Sequence, residues 1–195
     1  MADFGIKQLP MDEETGSRVY HLFSRDGSLR MVADFASPWL TSENPDRYVR
    51  FADSAGKTVA QMDLAITATK SFGNRQSRDY AIVLNHAVYA ILSEYRWQSK
   101  KESKIYFLLR VADSMWLILK GEGRESYFTI YNEVPPSLIS RSAEPNFSDL
   151  PEPTGEIGRD SDQYDYVASW RQEGIRRIGL VVLALVFLID RLEDV

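Results

Sequence analysis

Ile178-Gly179-Leu180-Val181-Val182-Leu183-Ala184-Leu185-Val186-Phe187-Leu188-Ile189 is apolar on every face of a helix, with Arg176 and Arg177 before it and Asp190, Arg191, Glu193 and Asp194 behind it. A helix without a polar face has to be surrounded. These residues span about 18 Å at 1.5 Å per residue, well short of the roughly 30 Å hydrocarbon core of a bilayer. The stretch therefore predicts a helix enclosed by the rest of its own chain. The helical pattern is read from about 165 to 193.

What could enclose it lies upstream. Residues 18–24 and 29–35 flank Arg25-Asp26-Gly27-Ser28, where Asp-Gly supplies the positive φ of a tight hairpin. Residues 48–53 and 57–64 flank Ser54-Ala55-Gly56, with Val49 and Phe51 alternating against Arg50 on one strand and Ala60, Met62 and Leu64 alternating on the next. Residues 80–84, 88–97, 105–111, 115–120 and 127–131 are rich in aromatic and β-branched side chains and read as further strands. Ile105, Phe107, Leu109 and Val111 share one face, as do Phe128 and Ile130, so each strand buries one side. Residues 133–159 hold Pro135, Pro136, Pro145, Pro151 and Pro153 and read as a crossover from wall to lumen. The expectation is one domain over 1–195, mainly β: a closed antiparallel barrel with strands over about 18–132, wrapped round the C-terminal hydrophobic α-helix.

Composition sets outer limits. The 195 residues are 44% hydrophobic and 12% aromatic, enough for a substantial core. A net charge of -5 argues against a nucleic-acid partner, which demands a surplus of Lys and Arg. No cysteine is present, which removes disulfides, thiolate nucleophiles and zinc-cysteine sites. The first fourteen residues carry acids and no apolar run, so they do not read as a secretory signal and the expected location is the cytoplasm.

The helix end, Leu185-Val186-Phe187-Leu188-Ile189-Asp190, resembles the C-terminal hydrophobic helix of phospholipid scramblases, which closes on a Phe-Leu-Ile-Asp run. The Asp- and Gly-bearing hairpins, and the order of many strands before one last helix, are similar to the tubby-like and LURP-one-related proteins. The resemblance implies a closed barrel of about twelve strands with the helix through its middle. For function it implies contact with phosphoinositide or other anionic lipid headgroups. Scramblases carry a calcium segment just before the helix, where this chain has Asp160-Ser161-Asp162-Gln163-Tyr164-Asp165. A calcium loop of EF-hand type wants Gly at its sixth position and Glu at its twelfth, and those positions hold Asp165 and Arg171. The acids are read instead as solvating the start of the helix, and no metal or other cofactor is expected.

His21 and His86 are the only histidines, and no nucleophile elbow, P-loop or zincin motif accompanies them. Gly121-Glu122-Gly123 reads as a hairpin turn, and no catalytic residue is expected. The densest basic cluster is Arg96, Lys100, Lys101 and Lys104, beside Trp97, with Arg75 and Arg78 in a second loop. Lys and Arg pair with phosphate, and an exposed Trp favours a membrane interface. Lys100, Lys101, Lys104, Arg75 and Arg78 are therefore the candidate headgroup contacts, while Trp39, Trp116 and Trp170 are read as packing residues. The expected function is a non-enzymatic binding module for anionic phospholipid headgroups or a protein partner. The alternatives are a tail-anchored membrane protein inserting the last helix, and a lipocalin-like carrier of a small molecule. The position of Leu180 to Ile189 separates all three.

Overall fold

A computed structural model describes residues 2–10, 18–35, 48–64, 70–100, 102–121, 127–140, 144–160, 162–171, 175 and 177–193. Five strands open the chain: β1 Ala2–Leu9, β2 Val19–Ser24, β3 Leu29–Phe35, β4 Tyr48–Asp53 and β5 Thr58–Asp63. Next come β6 Lys70–Phe72, β7 Arg75–Leu84, β8 Ala87–Gln98, β9 Ser103–Val111, β10 Ser114–Lys120 and β11 Phe128–Tyr131. The short helix α1 Pro136–Ile139 leads to β12 Gly155–Arg159 and β13 Tyr166–Trp170, and α2 Ile178–Glu193 ends the fold.

Neighbours in sequence pair antiparallel from β1 to β5 and from β7 to β13, and β13 returns to pair with β1. Gln61, Met62 and Asp63 of β5 face Val83, Ile82 and Ala81 of β7, which closes a ring of 12 strands. β6 lies outside the ring, paired with the first residues of β7. Twelve strands about 4.8 Å apart and tilted about 40° make a ring about 24 Å across, room for one helix and a layer of side chains around it.

α2 fills that space. From Leu180 to Asp190 every residue is buried, and Leu180 to Ile189 form one cluster with the inward side chains of the wall. Alternate wall residues join the helix cluster: Phe107 and Leu109 of β9, Trp116 and Ile118 of β10, Phe128 and Ile130 of β11, while Tyr106, Leu108 and Leu117 between them are buried on the outer face. Val49 faces Met62 and Phe51 faces Ala60 across β4 and β5, all four inward. At Gly179 a Cβ would come within 2.9 Å of Leu22, so the missing side chain lets the helix enter close against β2. Gly27 (φ 77°) and Gly56 (φ 79°) turn the two early hairpins in the left-handed region. In the first, Asp26 accepts from Ser24 Oγ, Ser28 N and Ser28 Oγ, bonds that hold its carboxyl well below the usual range.

The crossover after β11 covers part of the outer wall. Leu138 of α1 packs with Tyr95, Tyr106, Leu108 and Leu117 in a second apolar cluster, joined by Phe147 and Leu150. Tyr95 stacks on Tyr106 at 4.9 Å. Trp116 and Trp170 meet edge to face at 6.3 Å inside the barrel, whereas Trp39 lies outside the described residues.

Several boundaries differ from the sequence expectation: β7 starts at Arg75 rather than 80, so Arg75 and Arg78 are on a strand and not in a loop, and β6 precedes it. The helix begins at Ile178 rather than near 165, and Tyr166–Trp170 is β13. Tyr166, Ala168 and Trp170 are buried while Val167 is exposed, a strand period that an aromatic-rich pentapeptide next to a long apolar helix disguises. The 133–159 crossover contains α1 and ends in β12, whose glycines and preceding prolines mask it as a loop. The strands begin at β1, sixteen residues before Arg18, with Ile6 fully buried. The acids Asp160 to Asp165 accordingly lie in the β12–β13 connection, not at a helix start: Asp165 accepts from Gln8 N at 2.7 Å and Asp160 from Asp162 N at 3.3 Å.

Candidate functional site

β7, β8 and β9 are the longest strands, and at one end they enclose a pocket of about 720 Å³. It is lined by Gly73, Asn74 and Gln76 on one side and by Arg96, Gln98, Ser99, Lys100 and Ser103 on the other, with Trp97 and Ile105. Among the described residues the lining has amide, hydroxyl, guanidinium and ammonium groups and no carboxylate. Such donors suit an anionic or polyhydroxylated guest.

Arg96 is its organising side chain. It shares a face of β8 with Glu94, Leu92 and Ala90, the last two of which pack in the helix cluster. Its Nε donates to Glu94 Oε1 at 2.7 Å, while Tyr80 Oη donates to Glu94 Oε2 at 2.7 Å. Glu94 is 3% exposed, and hydrogen bonds to both of its oxygens offset the cost of burying it. Burial, and after it the neighbouring Glu94 charge, pushes the Tyr80 phenol far above its ordinary pKa, keeping it a donor. Among the described residues Glu94 is the one side-chain partner of Arg96, whose side chain is 34% exposed. Its orientation is set from below through Nε, and its Nη edge remains for the pocket.

The sequence candidates separate in space. Lys100 is exposed and lines the pocket, in the β8–β9 turn that Ser99 N closes on Glu102 O at 2.8 Å. Lys104 turns outward, 2.9 Å from Glu102 Oε1 and 5.9 Å from the Phe147 ring centre. Arg75 is buried under the crossover, donating to Ser140 O at 2.6 Å and Ser137 O at 3.2 Å, with its guanidinium 5.9 Å from the Tyr95 ring. It tethers α1 to the wall. Arg78, three residues along β7, stands on the opposite face, exposed and opposite Glu94 across the β7–β8 ladder. Lys101 lies outside the described residues. Trp97 is 8% exposed and packs 6.4 Å from Phe147, so it is a packing residue rather than an exposed interface anchor.

At the helix's C-terminal end a second polar group is enclosed. Asp190 accepts from Tyr20 Oη at 2.5 Å, Tyr166 Oη at 2.9 Å and Arg18 at 2.8 Å, and it is 5% exposed. Burial first, and then Asp190, raises the Tyr20 pKa. A carboxylate in the last turn of a helix meets the negative end of the dipole, and these three donors offset that cost. The site is an anchor for α2.

His21 is half-buried on β2 beside Phe23, and His86 sits in the β7–β8 turn at φ 64°. β2 and β7 are four places apart around the ring, so the fold does not join the two imidazoles. Gly121 N bonds Tyr127 O at 2.8 Å, completing the turn read between β10 and β11. Neither a family model, nor a curated protein, nor a solved structure matches this chain.

Proposed function

We propose that this barrel is a non-enzymatic binding module that takes an anionic, phosphorylated lipid headgroup in the pocket of Arg96 and Lys100, working in the cytoplasm at a membrane surface. The observation that carries the reading is a guanidinium fixed through Nε by buried Glu94, beside a pocket whose described lining holds no carboxylate. A phosphate is the complement of such an edge. The resemblance to tubby-like barrels points to the same ligand class. The carrier alternative needs an open lumen, and α2 occupies it. The tail-anchor alternative needs a free apolar helix, whereas Leu180 to Ile189 are buried in the wall's own cluster, and among the described residues no helix is long and apolar enough to cross a membrane.

Sedimentation with phosphoinositide vesicles at low salt tests this. Each cation near an anionic surface contributes about 1 kcal/mol, so Lys100→Glu, a reversal at an exposed turn, is expected to weaken binding about tenfold or more. Arg96→Gln should weaken it comparably, and added salt should release the wild type. Equal binding by the Lys100→Glu, Arg96→Gln double variant, or equal binding to neutral phosphatidylcholine vesicles, overturns the reading.

A further inference from the structure

A second concavity, of about 660 Å³, lies on the outer wall over β1, β13 and β12. Its floor follows from the register. Val167 of β13 stands between Gly5 of β1 and Gly158 of β12, so one side chain is flanked by two positions that have none. Each glycine is overlain by a ring. A Cβ on Gly5 would fall 2.5 Å from the Tyr164 ring, and one on Gly158 would fall 3.3 Å from Cδ2 of Tyr127. Gly5 and Gly158 are two strand spacings apart, about 10 Å. The result is a trench with an aliphatic floor and an aromatic wall on each side. Val167 is 40% exposed and Tyr127 38%, among the few large apolar residues left open to solvent.

One pleat further along, Ser169 is flanked by Asp3 and Glu156. Asp3 already faces Arg25 at 3.6 Å. Glu156 differs: Tyr127 Oη donates to its Oε2 at 2.6 Å, and among the described residues it has no cation. That bond fixes the ring and the carboxylate as one unit and raises the Tyr127 pKa. Arg159, the other cation on the lining, is turned to the Tyr166 ring at 5.3 Å and toward Asp190 at 3.9 Å.

We propose that this trench is a binding site for a small organic cation, an alkylammonium whose stem lies on Val167 between Tyr127 and Tyr164 and whose head meets Glu156. The aromatic walls attract a cation through their ring faces, the carboxylate pairs with it, and the trench volume falls in the range of small-molecule sites. The site goes beyond the headgroup reading and does not depend on it, since it uses other strands and the opposite charge.

The test is a titration of the full chain with n-butylammonium and tetramethylammonium, followed by the NMR shifts of the Val167 methyl groups, with n-butyrate as the matched anion. Saturable shifts are expected for both cations and none for butyrate. Glu156→Gln, at an exposed position that keeps a Tyr127 acceptor, should weaken the cations roughly tenfold. Tyr164→Ala removes one wall and should weaken them as well, provided its amide spectrum remains that of the folded chain. Unchanged affinity in Glu156→Gln, or equal shifts with butyrate, overturns the proposal. Shifts produced by a lysine-bearing peptide but by neither free amine also overturn it, and assign the trench to a protein partner.

Discussion

Leu185→Asp is expected to yield a chain that does not fold. Leu185 is fully buried in the middle of α2, inside the ring, in an entirely apolar stretch from Leu180 to Ile189. Losing the leucine packing costs about 2–5 kcal/mol, as in large-to-small core substitutions. The carboxylate adds several kcal/mol more, because nothing there can pair with it. Together these match the whole stability of a domain, about 5–15 kcal/mol. Expression should give insoluble protein, or a product without a cooperative thermal transition in circular dichroism. A soluble Leu185→Asp protein melting within a few degrees of wild type contradicts the account.

The second large effect is at the other end of the same helix. Asp190→Ala leaves the Tyr20 and Tyr166 hydroxyls, both buried, without their shared acceptor, and removes one partner of Arg18. Each unsatisfied buried group costs about 1–3 kcal/mol, so a loss of about 3 kcal/mol is expected. For a chain of this size that lowers Tm by about 6–12 °C. Thermal melts read it directly, and a Tm within 2 °C of wild type would show that Asp190 is a bystander.

The helix and the hairpins were legible because each is decided by local chemistry: an all-round apolar surface demands enclosure, and Asp-Gly or Ala-Gly between alternating strands demands a turn. β13 was hidden by its neighbour. Tyr166-Val167-Ala168-Ser169-Trp170 carries a period of two, but only seven residues separate it from an apolar run whose helical reading absorbs it. β12 was hidden by composition, since Gly155 and Gly158 are poor strand formers that persist because Ser169 O approaches Gly155 within 2.4 Å of where a Cβ would be and Tyr127 lies over Gly158.

The site was legible in part. The basic cluster lies on the hairpin that lines the pocket, and Lys100 stands in its lining. Arg75 and Arg78 were grouped although three residues on one strand place them on opposite faces, a parity that the sequence carried once β7 was seen to start at Arg75. The same parity turns Tyr95 and Trp97 to the outer cluster and Glu94 and Arg96 to the pocket side. What sequence reasoning could not supply is how Arg96 is held. It depends on Tyr80, fourteen residues from Glu94, reaching that carboxylate across the β7–β8 ladder.

The central claim is that α2 is the core of the barrel. Native-state hydrogen exchange on the full chain measures this most directly. The amides of Leu180 to Ile189 should exchange only through global unfolding, with a free energy equal to that from denaturant melting of the whole domain. If those amides exchange far faster while the amides of β8 and β9 stay protected, the helix is not enclosed by the wall and the account fails.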